Sequence, residues 1–204
     1  MANALTLSRF PILLIYLLML YFGNHTVQLL SVPLLFLALM IDSIDGIVAR
    51  RTGKASLTGS VLDIVADRVY ELVLWVSFAD LKVIPVLIPI IVITRTTWTD
   101  AIRSIGVQRG EAPFDQIRTK IGRFIVGSPW MRSFYGISKI VSFCGLALGI
   151  ALGAFPEGSR SFQSSTTVLQ IFSITSWIAV ILCVVRGAPV IAGILRRTQI
   201  STQE

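Results

Sequence analysis

The chain has 204 residues, of which 54% are hydrophobic and only 14% are charged. Because soluble globular domains carry about 25% charged residues, this composition excludes a disordered, collagen-like or ordinary cytosolic protein and favours several membrane crossings. The formal net charge is +7, from 18 lysines and arginines against 11 aspartates and glutamates. In a membrane protein such an excess anchors cytoplasmic loops, so we do not expect nucleic acid as a partner.

Six apolar runs follow one another along the chain, and each predicts a membrane-spanning helix. Because no basic segment and no small-residue cleavage site accompanies the first run, we interpret it as a retained span rather than a signal peptide. The expected fold is an all-α integral membrane protein, with residues 1–204 forming a single domain of six transmembrane helices. The runs cover about 10–22 (lengthened by 5–7), 29–41, 59–79, 83–98, 137–155 and 168–185, the last with an extension to 195.

The positions of the basic residues predict the orientation of these spans. With the N-terminus in the cytoplasm, most arginines and lysines lie on inner segments, whereas the outer loops carry only Lys82 and Arg160. Since cytoplasmic loops are enriched in Lys and Arg, this asymmetry favours six spans with both termini inside. We expect the basic segment 103–132 to form a cytoplasmic loop with short interfacial helices, and the Ser/Thr-rich segment 158–167 to form an outer loop.

Four aspartates at the ends of the second and third runs form the most informative pattern. Asp42 and Asp45 are three residues apart and Asp63 and Asp67 are four apart, so each pair shares a helix face. An aspartate at the centre of an apolar helix costs about 2.5–3.5 kcal/mol, and facing carboxylates repel unless a cation neutralises them. Mg²⁺ takes oxygen ligands and often shares its site with substrate phosphates. The pattern therefore predicts a divalent-cation site where two consecutive helices meet.

The residues next to the aspartates can each be interpreted as ligand-binding or as structural. Gly46 and Gly59 let a flat ligand group approach the backbone, or they serve helix packing together with Ala49. Arg50 offers a donor fork suited to phosphate, or it is a cytoplasmic anchor. Intramembrane carboxylates can also form a cation or proton pathway, so a transporter is an alternative. All four aspartates are expected at one face of the membrane, whereas a transport pathway needs polar groups at both faces. This placement argues against a transporter.

The segment 42–67 resembles the signature of the CDP-alcohol phosphatidyltransferases, D-x2-D-G-x2-A-R-x8-G-x3-D-x3-D, at every fixed position and spacing. The resemblance implies transfer of a phosphatidyl group from CDP-diacylglycerol to an alcohol, with release of CMP, in phospholipid biosynthesis. It implies two Mg²⁺ or Mn²⁺ ions held by the four aspartates, with Asp67 also the general base. It further implies a homodimer in the cell (inner) membrane, with the active site facing the cytoplasm. The nucleotide and diphosphate would be bound by Gly46, Ala49, Arg50 and Gly59.

Further motifs bear on the acceptor. Residues 3–9, NALTLSR, resemble the N-x-L-T-x-x-R start of the bacterial phosphatidylglycerophosphate synthases, and residues 62–68 are similar to their L-D-P-x-A-D-K stretch. The resemblance favours glycerol 3-phosphate, while inositol phosphate, serine or a lipid alcohol stay open as acceptors. A phosphorylated acceptor needs cations around it, and we expect these to be Arg95, Arg103 and Lys139. Each of the three can instead be a cytoplasmic anchor. A catalytically silent scaffold is not favoured, because no residue of the signature is missing.

Overall fold

The computed structural model describes residues 2–52, 57–108 and 127–201, and within these ranges it contains six α-helices and no strand. The predicted all-α class is therefore confirmed for the described part of the chain. In chain order the helices are α1 (Ala2–Phe22), α2 (His25–Thr52), α3 (Leu57–Asp80), α4 (Leu87–Gln108), α5 (Pro129–Gly153) and α6 (Arg160–Ser201).

Two described helices are long and apolar enough to cross a membrane, namely α5 and the segment Arg160–Gly193 of α6. Shorter apolar helical segments occupy Arg9–Phe22 and His25–Met40. Many large apolar side chains are exposed, among them Ile174 of α6, which is 64% exposed. Because soluble monomers rarely present extended apolar surfaces to water, these faces suit contact with lipid. Six spans and the inward placement of both termini stay predictions.

The connection between α1 and α2 consists of only Gly23 and Asn24. The side-chain oxygen of Asn24 accepts a hydrogen bond of 3.0 Å from the backbone N–H of Val27, which caps the start of α2. The amide of Gln28 donates to the carbonyl of Leu20 at 2.9 Å. A Cβ at Gly23 would collide with the carbonyl oxygen of Met19 and with the side chain of Val27, so glycine is required here.

The end of α3 explains why the predicted start of the fourth helix at residue 83 was wrong. The N–H of Val83 bonds the carbonyl of Phe78 at 3.1 Å, and that of Lys82 bonds the carbonyl of Ala79 at 3.0 Å. With Lys82 in the left-handed region at φ 60°, this is a Schellman cap. Residue 83 therefore belongs to the turn that ends α3, and α4 begins at Leu87.

The prediction of an outer loop over 158–167 was also wrong in its extent. The hydroxyl of Ser159 accepts a hydrogen bond of 3.1 Å from the N–H of Phe162, so Ser159 caps a helix that starts at Arg160. Inside the helix, the hydroxyls of Ser164 and Ser165 bond backbone carbonyls about one turn earlier. The serines thus lie on a helix that the apolar run alone does not reveal.

The segment 103–132, predicted to form a cytoplasmic loop with short interfacial helices, is described only near its two ends. Helix α4 extends to Gln108, and α5 begins at Pro129. Both ends of the segment are therefore helical, and residues 109–126 lie outside the described part of the chain.

The chain divides into two compact units. Unit 1 comprises Met1–Ile84 and Ile140–Ile174, and unit 2 comprises Pro85–Lys139 and Thr175–Glu204. In unit 1 the ring of Phe143 packs against Trp75 and Phe78, with centroid distances of 4.6 and 6.0 Å. In unit 2 Ile102 and Val190 are buried together, and Ile191 packs against them. A single domain over residues 1–204 stays a prediction.

Polar contacts at two levels hold α1 against α3 in unit 1. The guanidinium of Arg9 donates to the carboxylate of Asp67 at 3.1 Å. The hydroxyl of Tyr21 donates to the carboxylate of Asp80 at 2.8 Å. The contacts lie twelve residues apart on α1 and thirteen apart on α3, so the two helices run in the same direction and are joined at two widely separated levels.

Candidate active site

The aspartate motif occupies the last part of α2 and the first half of α3. The backbone is helical at Asp42, Asp45, Gly46, Ala49 and Arg50 on α2, and at Gly59, Asp63 and Asp67 on α3. The spacing therefore places each aspartate pair on one face of its helix, as an α-helix requires. The side chains of residues 41–61 and 63 lie outside the described part of the structure. Convergence of the four carboxylates stays a prediction.

Asp67 is the one signature aspartate whose side chain is described. Its oxygen Oδ1 accepts a hydrogen bond of 3.1 Å from Nη1 of Arg9. The side chain of Arg9 is 8% exposed, whereas that of Asp67 is 48% exposed. A buried guanidinium thus holds a carboxylate that is half open to its surroundings. This is a charge-assisted contact, the stronger class of hydrogen bond.

Glu71 continues the four-residue spacing of 59, 63 and 67 along α3, and sequence reasoning missed it. Its side chain is 5% exposed, and its oxygen Oε2 lies 3.7 Å from Nη1 of Arg68. A buried carboxylate with a cation beside it is a common structural arrangement. Glu71 therefore differs from Asp67, whose carboxylate remains accessible, and the spacing was the signal that could have found it.

The donor set of the predicted metal site fits a hard divalent cation. Carboxylate oxygens are the ligands that Mg²⁺ and similar ions prefer, and the side chain of Asp67 is 48% exposed. Among the side chains that the structure describes, no three His, Cys, Asp or Glu residues come together as a metal site. Asp42, Asp45 and Asp63 lie outside that set, so the four-aspartate ligand set stays a prediction.

A second group of polar residues lies in unit 2, around the buried ring of Tyr135. The ammonium of Lys139 lies 4.7 Å from the centre of this ring, and the guanidinium carbon of Arg186 lies 5.5 Å from it. Both distances are within the range of a cation–π contact. Lys139 was predicted from the sequence as an acceptor ligand, and Arg186 was not. Two cations therefore lie beside one aromatic ring.

Arg95 packs against Gly187, the residue that follows Arg186 on α6. A Cβ at Gly187 would lie 2.5 Å from Nε and 2.9 Å from Cγ of Arg95, so the arginine side chain uses the space that glycine leaves. The Nε of Arg95 is buried, and it has no hydrogen-bond partner among the described residues. Because a buried donor without a partner is costly, this nitrogen is a candidate for binding a ligand anion.

The structure therefore brings two of the three predicted acceptor ligands to the same turn of α6. Lys139 shares the ring of Tyr135 with Arg186, and Arg95 packs on Gly187, the next residue of the chain. Arg103 lies about two turns after Arg95 on α4, and its side chain is outside the described set. The sequence signal for Arg186 was an arginine followed directly by glycine inside an apolar helix.

Comparison with known proteins gives a family and two relatives. The family model described as CDP-alcohol phosphatidyltransferase matches residues 1–185. Proteins of two strains of Mycobacterium tuberculosis, each named probable phosphatidylglycerophosphate synthase, are 26% identical over 116 residues, which is 55% of this chain and 56% of each relative. The chain thus spans about half the length of the curated relatives it matches.

Proposed function

The chain belongs to the CDP-alcohol phosphatidyltransferase family, and on this basis we propose that it transfers a phosphatidyl group from CDP-diacylglycerol to glycerol 3-phosphate and releases CMP. The match over residues 1–185 and the complete aspartate signature support the reaction class. The names of the two mycobacterial relatives support the acceptor. The site would face the cytoplasm from the cell membrane, in a homodimer.

We assign the metal and base roles to the aspartates of α2 and α3. Asp42, Asp45, Asp63 and Asp67 would hold two Mg²⁺ or Mn²⁺ ions, which neutralise the donor diphosphate and make CMP a better leaving group. Asp67 would take the proton of the acceptor hydroxyl. The acceptor oxygen then forms a bond to the phosphorus that carries diacylglycerol, while the bond from this phosphorus to CMP breaks and its electron pair leaves with CMP.

The donor would be bound by the residues of the signature that are not acidic. Gly46 and Gly59 allow the nucleotide to approach the helix backbones, and Ala49 adds little bulk between them. Arg50 would direct its guanidinium fork to the diphosphate. The helical backbone at all four positions supports this assignment.

The acceptor phosphate would be bound in unit 2 by Arg95, Arg103 and Lys139, joined by Arg186. The observation that carries this assignment is the buried Nε of Arg95, which has no hydrogen-bond partner among the described residues. A phosphate oxygen would supply the missing acceptor, and the cations at Tyr135 would add charge. Inositol phosphate carries the same group, so it is the nearest alternative acceptor. Serine and lipid alcohols lack a phosphate next to the reacting hydroxyl.

One experiment tests the proposed reaction. Purified protein is incubated with CDP-diacylglycerol, Mg²⁺ or Mn²⁺ and a panel of alcohols, and CMP release is measured. We expect release with glycerol 3-phosphate and none with glycerol, because the phosphate provides most of the binding. CMP release with inositol phosphate but with no other alcohol would identify inositol phosphate as the acceptor instead. Release with an unphosphorylated alcohol, while glycerol 3-phosphate is inert, would contradict the acceptor site.

A further inference from the structure

The burial of Arg9 does not fit the role that the sequence gives to it. An arginine that only anchors a helix end to the cytoplasmic side keeps its charged head in water. The side chain of Arg9 is only 8% exposed. The burial therefore indicates a role inside the protein, where the guanidinium of Arg9 contacts the carboxylate of Asp67.

The ion pair between Arg9 and Asp67 indicates what this role is. Nη1 of Arg9 lies 3.1 Å from Oδ1 of Asp67, whose side chain is 48% exposed. A half-exposed aspartate can rotate among several rotamers, and a group that accepts a proton has to be held within about 0.5 Å of its working position. A guanidinium that is itself enclosed by packing holds one oxygen of the carboxylate in place, and this limits the rotation.

We propose that Arg9 is the positioning residue of Asp67, and that it fixes the carboxylate through Oδ1 in the position from which Asp67 takes the proton of the acceptor hydroxyl. This inference rests on the proposed role of Asp67 as the base. It makes α1 a part of the active site, although α1 carries none of the signature aspartates.

The same pair of helices offers a matched control. The hydroxyl of Tyr21 donates to the carboxylate of Asp80 and, at 3.4 Å, to the carbonyl of Ser77, so Tyr21→Phe also removes polar contacts between α1 and α3. It does so twelve residues further along α1, away from the aspartate motif. A loss of activity caused by loosened helix packing should appear in both variants, whereas a loss of carboxylate positioning should appear only at Arg9.

The test compares Arg9→Met, Arg9→Lys, Tyr21→Phe and Asp67→Asn as detergent-purified protein, with CMP release normalised to the monodisperse fraction. Arg9→Met should lower kcat about 10- to 100-fold, because a misplaced reacting group loses that much. Both KM values should stay within about threefold, since the variant removes no substrate contact. Arg9→Lys should recover part of kcat, because it restores a donor and a charge. Tyr21→Phe should keep the kcat of the parent protein.

A second measurement does not depend on activity. Asp67→Asn removes the carboxylate charge that faces the buried guanidinium of Arg9. The melting temperature of this variant should therefore fall by about 5 °C or more. Adding Arg9→Met to Asp67→Asn should raise the melting temperature again, while the double variant stays inactive. Such a reversal requires that the two charges interact in the folded protein.

The outcomes separate the inference from the proposed function. A normal kcat in Arg9→Met beside an inactive Asp67→Asn would overturn the positioning role and leave the function intact. An active Asp67→Asn would overturn the assignment of the base, and the positioning role with it. A change confined to KM in Arg9→Met, or an equal loss of kcat in Tyr21→Phe, would also overturn the inference.

Discussion

Replacing Gly187 with alanine tests the proposed acceptor site through a single methyl group. The added Cβ would lie 2.5 Å from Nε of Arg95, whereas ordinary van der Waals contact begins at 3.4 Å. The Nε therefore has to move by about 0.9 Å. The Cγ of Arg95 would be 2.9 Å away as well, so rotation of the guanidinium alone does not relieve the clash.

The size of the effect follows from this displacement. A shift of about 1 Å in a binding group costs up to about 100-fold, and a lost charge-assisted hydrogen bond costs about 1.5–3 kcal/mol, or about 10- to 150-fold. Gly187→Ala should therefore raise the KM for glycerol 3-phosphate about 10- to 100-fold. The KM for CDP-diacylglycerol should change by less than about threefold, because no donor contact is removed.

Gly136→Ala is the matched control, since Gly136 also lies in a helix of unit 2 and a Cβ there meets nothing within 4 Å. Both replacements gain about 1 kcal/mol of helix propensity, so this term cancels in the comparison. The assay is CMP release at saturating donor with varied glycerol 3-phosphate, and then the reverse. The same acceptor KM in the two alanine variants, or an equal rise in both KM values for Gly187→Ala, would refute the role of Arg95.

Four further experiments test the remaining assignments. Excess EDTA should abolish transfer, and added Mg²⁺ or Mn²⁺ should restore it; full activity in EDTA would exclude the metal site. Arg50→Ala should raise the donor KM about 10- to 150-fold, and near-normal donor kinetics would leave Arg50 as an anchor. Lys139→Gln should raise the acceptor KM more than the donor KM, which an anchoring lysine would not do. Added Mn²⁺ should partly rescue Asp63→Asn but not Asp67→Asn, which should lose about 10²- to 10⁴-fold in kcat; metal rescue of Asp67→Asn would make it chiefly a ligand.

The sequence predicts the helical class and the helices that carry the aspartates because both follow from local patterns. Apolar runs need only a count of residues to be recognised as helices. The positions of the helix ends depend on hydrogen bonds that such a count does not detect. The cap at Ser159 uses a residue type with known preference for this position, so it could have been found. The left-handed Lys82 has no such signal, because lysine rarely adopts that conformation.

The pairing of residues from distant parts of the chain is the information that the sequence lacks. Arg9 and Arg186 both lie in or beside apolar runs, where an arginine is typical of a cytoplasmic anchor. Only the folded chain shows Arg9 buried against Asp67, 58 residues away in sequence, and Arg186 at the ring of Tyr135. The resemblance correctly identifies the family, but it gives no contact for either arginine.

The short connection at Gly23 and Asn24 determines which ends of α1 and α2 would lie at the same surface of a bilayer. Since α1 and α2 form a helical hairpin closed by two residues, a hairpin that enters the bilayer as one piece leaves the start of α1 and the end of α2 at the same surface. The aspartates at residues 42 and 45 then share that surface with the N-terminus. A small reporter fused to the N-terminus, read by its accessibility in intact cells, would therefore reveal which compartment would have to supply the proposed glycerol 3-phosphate.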